Sequence, residues 1–237
     1  DISTGKLKRL TDIKGPALFN VTSLAYDENN DFLFYTTDNS ANRDLYSYNL
    51  KNGQNTLLQK NFRSGDLAYN KKDQSLWAVM HMNGINTVIR IPKFNSENPN
   101  QYYSVWEQKY TLPYGHDIFD LDISPDGTKL SAAVADYFGN QYLNIYDLAS
   151  IDNVDKENIK FDEVFNFEVA SPQTFKFTDD GKFLIGSSFY SGVSNIFRVN
   201  VENLEIEVMS NAITGYFRPI QIDSDRMFCF RYTSDGF

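Results

Sequence analysis

The chain has 237 residues, 41% of them hydrophobic and 22% charged, with only 13 Gly and 7 Pro; this excludes a disordered or collagen-like polymer and suffices for one domain with a sizeable core. Its 31 acidic against 22 basic side chains leave a net charge of −9, which repels nucleic-acid backbones and anionic membranes, so no nucleic-acid partner is expected. No apolar run approaches the ~20 residues that cross a bilayer, so direct membrane insertion is not expected either.

Aromatic residues make up 15% of the chain and point to strands, whose pleated faces pack them well. In chain order the strands come in repeats. The first repeat reads Ser23–Tyr26, a polar turn Asp27–Asp31, a second strand through Leu33, a third at Leu45–Tyr48 and a fourth at Asn55–Leu58. The second reads Asp66–Tyr69, turn Asn70–Gln74, a strand through Leu76, then Val88–Ile91 and Tyr103–Trp106. The third reads Asp120–Ile123, turn Ser124–Gly127, a strand through Leu130, then Leu143–Tyr146 and Glu163–Asn166. The fourth reads Thr174–Phe177, turn Thr178–Gly181, a strand through Leu184, then Ile196–Val199 and Glu205–Val208. A fifth begins at Pro219–Ile222, turns at Asp223–Asp225 and places Phe228 in the column of Leu33, Leu76, Leu130 and Leu184.

Alternating apolar and polar residues give the strand period, and the Asp- and Gly-rich breaks supply turn chemistry. The repeats are spaced by 43, 54, 54 and 45 residues, the long intervals reflecting extra residues around Asn95–Asn100 and Ile151–Lys160. Four antiparallel strands at a period of ~40–50 residues describe a β-propeller blade. The fold class is therefore all-β: a single propeller of four-stranded antiparallel blades over 1–237, about five in this chain. The blades fall near 15–63, 64–110, 111–168 and 169–214, with 215–237 and 1–14 able to join as a closing fifth. Either the ring closes at five blades, or the chain is an excised piece of a larger propeller. The start at Asp1 without Met and the abrupt end within a strand pattern favour the excised piece. The lone Cys229, between Phe228 and Phe230, reads as a buried, inert thiol.

Two stretches, Ile123–Leu130 with Asn144-Ile145-Tyr146 and Phe177–Leu184 with Asn195-Ile196-Phe197, carry "apolar-Ser-Pro-Asp-Gly-x-x-apolar" or a close variant followed by "Asn-Ile-Tyr/Phe". This pattern resembles the WD40-like repeats of the TolB propeller family. The resemblance implies a domain of an exported bacterial protein, in the periplasm or at the cell envelope, that binds a protein or peptide through one face.

In a propeller the loops from second to third strand and from fourth to first share one face around the channel. Here that face carries 38–44, 62–65, 81–86, 113–117, 136–140, 190–195 and 215–218. Its aromatic and Arg residues are the types that dominate interface hot spots. The candidate partner-binding residues are Arg43, Arg63, Tyr114, His116, Tyr137, Tyr190, Tyr216 and Arg218, with Phe138 and Phe217 beside them. Asp66 and Asp120 share a register position on the innermost strand, facing the channel. They read either as an acid–base or metal pair, or as acceptors for the backbone of a neighbouring blade. Asp38–Asp44 alternates oxygen side chains as a calcium loop does but lacks the central Gly and distant Glu, so a solvated loop is expected.

With two His and one Cys, no zinc set has recognisable spacing. No Gly-x-Ser-x-Gly occurs, and Gly186-Ser187-Ser188 falls inside an expected strand, so no catalytic residue, metal or cofactor is assigned. The leading expectation is a non-enzymatic interaction module. One alternative is an accessory, substrate-gating propeller of a prolyl-oligopeptidase-like peptidase. The other is a metal-dependent hydrolase or lyase acting in the channel through Asp66, Asp120 and His116.

Overall fold

The computed structural model describes residues 4–11, 23–38, 43–93, 106–152 and 159–236. Four sheets are antiparallel four-stranded meanders. Blade one comprises β1 (Ser23–Asp27), β2 (Phe32–Asp38), β3 (Arg43–Asn49) and β4 (Asn55–Gln59). Blade two comprises β5 (Ser64–Asn70), β6 (Ser75–Met82), β7 (Ile85–Ile91) and β8 (Glu107–Thr111). Blade three comprises β9 (Asp117–Ile123), β10 (Lys129–Ala135), β11 (Gln141–Asp147) and, after the short helix α1 (Leu148–Asp152), β12 (Phe161–Asn166). Blade four comprises β13 (Pro172–Phe177), β14 (Phe183–Ser188), β15 (Asn195–Asn200) and β16 (Ile206–Val208). The hairpin β17 (Tyr216–Gln221) and β18 (Met227–Arg231) follows as a two-stranded sheet.

The Ser-Pro-Asp-Gly turn shows why its residue types are needed. Ser124 Oγ donates to Asp126 Oδ1 at 2.6 Å and accepts the Lys129 N–H at 2.9 Å, while Asp126 also takes the Thr128 N–H at 3.0 Å. Gly127 adopts φ +71°, and a Cβ there would lie 2.8 Å from Lys72 Cβ on the neighbouring blade. Thr178 and Asp180 repeat the arrangement at 2.6 Å in blade four.

The expectation of about five blades is corrected to four blades and a hairpin, and the arc is open. Residues 4–11 form no strand; Thr11 instead accepts a bond from Asn55 Nδ2 of β4 at 3.4 Å, on blade one. The remainder of the 1–14 closing segment lies outside the described residues, as do Tyr103–Val105 of the expected fourth strand in blade two. That blade's outer strand runs from Glu107 to Thr111 instead. Its sequence is polar because ion pairs help hold it. Lys109 pairs with Glu107 at 2.7 Å and with Asp152 of α1 at 2.6 Å, joining blade two to the helix whose Leu148 and Ile151 are buried at the next junction.

The fifth repeat is also corrected in register. Tyr69 pairs with Leu76 and Phe177 with Leu184, whereas Gln221 pairs with Met227, so Met227 and not Phe228 continues the Leu column. A one-residue slip turns every side chain to the other face. Phe228 and Phe230 therefore point outward, and Cys229 between them is half-buried rather than buried.

Each innermost strand from β5 onward carries a bulge in which two residues oppose one. Asp66-Leu67, Asp120-Leu121, Thr174-Phe175 and Arg218-Pro219 stand opposite Ala78, Ala132, Gly186 and Cys229. The first residue of each bulge has φ near +50°, from 49° at Arg218 to 53° at the other three. By alternation every blade then has two apolar faces. The leading face meets the preceding blade, as Leu67, Tyr69 and Leu76 do; the trailing face meets the next, as Ala25 and Phe34 do. Ala68 and Trp77 likewise pack against Leu121, Ile123 and Leu130, and Leu143 and Ile145 against Phe175 and Leu184. Three junctions thus hold the core.

Candidate functional site

The inter-strand loops gather on one face, where each hairpin end bonds to the loop that leaves or enters its own blade or, in blade four, to the start of the next strand. Phe62 N–H donates to Arg43 O at 2.6 Å, His81 N–H to Arg63 O at 3.0 Å, Leu112 N–H to Asn86 O at 2.9 Å, and Tyr216 N–H to Ser194 O at 2.9 Å. Asn86 links two of these loops through its side chain. Its Oδ1 lies 2.6 Å from His81 Nδ1, and its Nδ2 donates to His116 O at 2.8 Å.

The exposed part of this face is aromatic. Tyr114, Tyr137 and Phe138 are 77%, 72% and 86% exposed. Glycines supply the space beneath the first two. The Tyr114 ring lies over Gly84 and the Tyr137 ring over Gly115, where an added Cβ would approach it to 2.9 Å. Tyr137 and Phe138 meet edge to face at 5.6 Å. Asp136 fixes the loop that bears them, accepting the Phe138 N–H at 2.8 Å, the Asn140 N–H at 2.9 Å and the Tyr142 OH at 3.0 Å. Those bonds, led by the Asn140 side chain, hold its carboxyl below the usual range. Tyr137 and Phe138 are thus large, exposed and borne on a loop whose backbone Asp136 holds.

The other expected residues separate into exposed and committed groups. Arg63 and Arg218 are exposed. Arg43 is engaged with Asp38, Nε to Oδ1 at 2.7 Å; residues 39–42 of the loop between them lie outside the described residues. Tyr190 is 42% exposed while its ring meets those of Phe165 and Phe167 edge to face at 5.1 and 5.8 Å. Tyr216 is half-buried, its carbonyl taken by Ser194 Oγ at 2.7 Å. His116 is half-buried and not oriented by Asp117, whose Oδ1 takes the Ile118 N–H at 2.8 Å. Two exposed aliphatics on the same face, Val169 and Ile213, were not singled out from sequence. Their only signal is an apolar residue within a polar loop.

Along the axis the bulge residues connect the blades. Ser23 Oγ accepts the Leu67 N–H at 2.6 Å, Asp66 Oδ1 the Asp120 N–H at 3.2 Å, and Asp120 Oδ2 the Thr174 N–H at 2.9 Å. Asp122 Oδ2 accepts the Phe177 N–H at 2.7 Å, and Lys176 Nζ donates to Leu121 O at 2.7 Å. Thr174 Oγ1, which stands where the next bond would start, is buried without a hydrogen-bond partner. Arg218, and not Pro219, occupies the equivalent position in the hairpin. Among the described residues no three His, Cys, Asp or Glu side chains form a group that could hold a metal ion.

Burial pushes the Asp66 carboxyl up, with the nearby Asp120 charge adding to the effect and the Asp120 N–H opposing it. Because the folded state holds this proton more tightly than the unfolded chain, Asp66 costs stability as pH rises through its folded pKa. Asp66→Asn keeps the acceptor and removes the charge. It should equal or exceed the wild type in urea stability at pH 7, with that advantage gone at pH 3. Asp66→Ala orphans the Asp120 N–H and should lose about 1–2 kcal/mol at both pH values. A destabilised Asn variant at pH 7 would contradict this account.

No protein-family model matches the chain. No curated protein matches it either. Solved structures do. A protein described as a TolB of Agrobacterium tumefaciens aligns with TM-score 0.68 at 15% identity, covering 92% of this chain and 70% of that one. TolB from Acinetobacter baumannii aligns with TM-score 0.63 at 14% identity over 81% of this chain, which spans only 44% of that protein. Prolyl oligopeptidase B from Galerina marginata aligns with TM-score 0.54 at 12% identity, covering 86% of this chain and 30% of that one. At these identities the shared property is the propeller fold. Among the described residues no helix is long and apolar enough to cross a membrane.

Proposed function

We propose that this chain is a non-enzymatic interaction module that binds a protein or peptide through the face bearing Tyr114, Tyr137 and Phe138. The observation that carries the reading is the exposure of three neighbouring aromatic side chains on loops fixed by Asp136, Gly84 and Gly115. Anchors of this type dominate interface energies, and exposed Arg63 on the loop face and Arg218 at the channel-side bulge add cationic groups. The TolB-like architecture supports an exported, periplasmic or cell-envelope setting as part of the same proposal.

The test compares wild type with a Tyr114→Ala, Tyr137→Ala, Arg218→Ala triple variant. With immobilised protein and cross-linked envelope extract, the triple variant should lose a captured partner, identified by mass spectrometry, at least a hundredfold. Its melting temperature should stay within a few degrees, because two of the three side chains are mostly exposed and the third lies at the surface. Unchanged capture would remove this face from consideration.

An accessory propeller of a prolyl-oligopeptidase-like enzyme is the second reading, supported by the peptidase fold match. A Gly-x-Ser-x-Gly elbow in the same reading frame would favour it over the interaction module.

A further inference from the structure

Blades two to four meet the loop face in five connections: β6–β7, β8–β9, β10–β11, β12–β13 and β14–β15. All five lie away from both ends of the arc. In a chain that is 22% charged, they contain no Lys or Arg, and their only acids are Asp136 and Glu168. Asp136 is committed to its own loop through the Phe138 and Asn140 N–H groups, the Asn140 side chain and the Tyr142 OH. The turns at the opposite end of the blades are charged, with Lys71, Lys72 and Asp73 between β5 and β6 and Asp179, Asp180 and Lys182 between β13 and β14.

What the loop face presents instead is apolar. Met82 at the end of β6 and Val169 after β12 are 51% and 86% exposed, on the loops either side of those bearing Tyr114, Tyr137 and Phe138. Contacts run across successive loops, Tyr114 over Gly84, Tyr137 over Gly115 and Tyr137 against Phe138. A solvated loop tip costs nothing when it carries a charge, whereas the centre of an interface excludes one, because a buried ion must give up its water. Loss of charge from one face alone, with large apolar side chains kept there, is therefore the composition of a surface that becomes covered.

We propose that the segment bound on this face is an uncharged, apolar stretch of polypeptide, held by burial of aliphatic side chains against Tyr114, Tyr137, Phe138 and Val169 without ion pairs. This rests on the interaction-module reading and narrows its partner. An acidic segment would find no Lys or Arg on these five connections, and a basic one would find only Glu168 and the committed Asp136. Arg63 precedes β5 and so belongs to none of the five.

The experiment measures fluorescence anisotropy of three labelled peptides of equal length with the full chain. One alternates Leu, Val and Pro with Ser; in the second the Ser positions are Glu, and in the third they are Lys. The uncharged peptide should bind at least tenfold more tightly than either charged one, with affinity changing less than twofold between about 0.05 M and about 0.5 M NaCl. Val169→Lys should weaken it at least tenfold at an unchanged melting temperature, since that side chain is mostly exposed. Preference for a charged peptide, no binding of any peptide, or binding indifferent to Val169→Lys overturns the proposal. So does binding of phosphatidylcholine vesicles by the wild type and not by Val169→Lys, which would put a lipid surface in the peptide's place. A natural partner lost from the Tyr114→Ala, Tyr137→Ala, Arg218→Ala variant but released tenfold by the higher salt would leave the interaction module standing and remove this inference alone. A partner retained by that variant would remove both.

Discussion

Phe167→Ala is expected to remove about 3–5 kcal/mol of stability, the range for deleting a fully buried aromatic side chain. Phe167 has no exposed surface and sits after β12, at the junction of blades three and four. Its ring lies 4.8 Å from Phe165, 5.8 Å from Phe175, 5.7 Å from Phe197 and 5.8 Å from Tyr190, three of the four contacts edge to face. Such pairs add to the area they bury, so truncation forfeits both transfer and packing energy and leaves a cavity framed by rigid rings. The backbone makes relaxation harder, because Phe167 N–H donates to Gln141 O at 2.7 Å. Urea unfolding measures the loss directly. The same substitution should release Tyr190 on the candidate face, a change visible as a Tyr190 ring shift by NMR. A loss below 1 kcal/mol would mean that the ring cluster does not hold this junction.

Gly186→Val is expected to destabilise by about 3 kcal/mol through overpacking rather than loss. Gly186 stands opposite the Thr174-Phe175 bulge, and the Phe175 ring folds over it so closely that any Cβ would fall inside the ring's van der Waals surface. Phe175 cannot yield cheaply, being buried against Phe167. The positions facing the earlier bulges hold Ala78 and Ala132, so small residues are the rule at this point in the blade. A Phe175→Ala, Gly186→Val double variant should recover part of the loss relative to simple addition of the two. Strict additivity in a double-mutant cycle would show that the two side chains do not compete for the same space.

Much of the fold was legible because turn chemistry and strand period agree over the first four repeats. Asp126 and Asp180 mark their turns by accepting the N–H two residues on, and Gly127 and Gly181 follow them at positive φ. The loops bearing Tyr114 and Tyr137 followed from counting strands. What was not legible has three physical causes. The bulges use Asp66, Asp120, Thr174 and Arg218 at positive φ, where glycine would have announced the conformation. The hairpin sequence Met227-Phe228-Cys229-Phe230 is apolar on both faces, so alternation could not reveal that the short Asp223–Asp225 turn had shifted the register by one. The outer strand Glu107–Thr111 depends on ion pairs with Asp152, distant in sequence, rather than on a pattern of its own. At the candidate site the sequence located the aromatic tips but not which of them also contact neighbouring side chains. Arg43 and Tyr190 were equal in type to Arg63 and Tyr114, and only their neighbours Asp38, Phe165 and Phe167 set them apart.

The bonds that Ser23, Asp66 and Asp120 send to the following blade connect only nearest neighbours, and so do the three apolar junctions. The molecule is in this sense one-dimensional: its free energy resolves into a contribution from each blade and one from each junction, with no direct coupling between blades one and four. Damage then stays local. Variation on one loop tip can reshape the loop face without being felt two blades away, leaving that surface free to change while the scaffold beneath it stays the same.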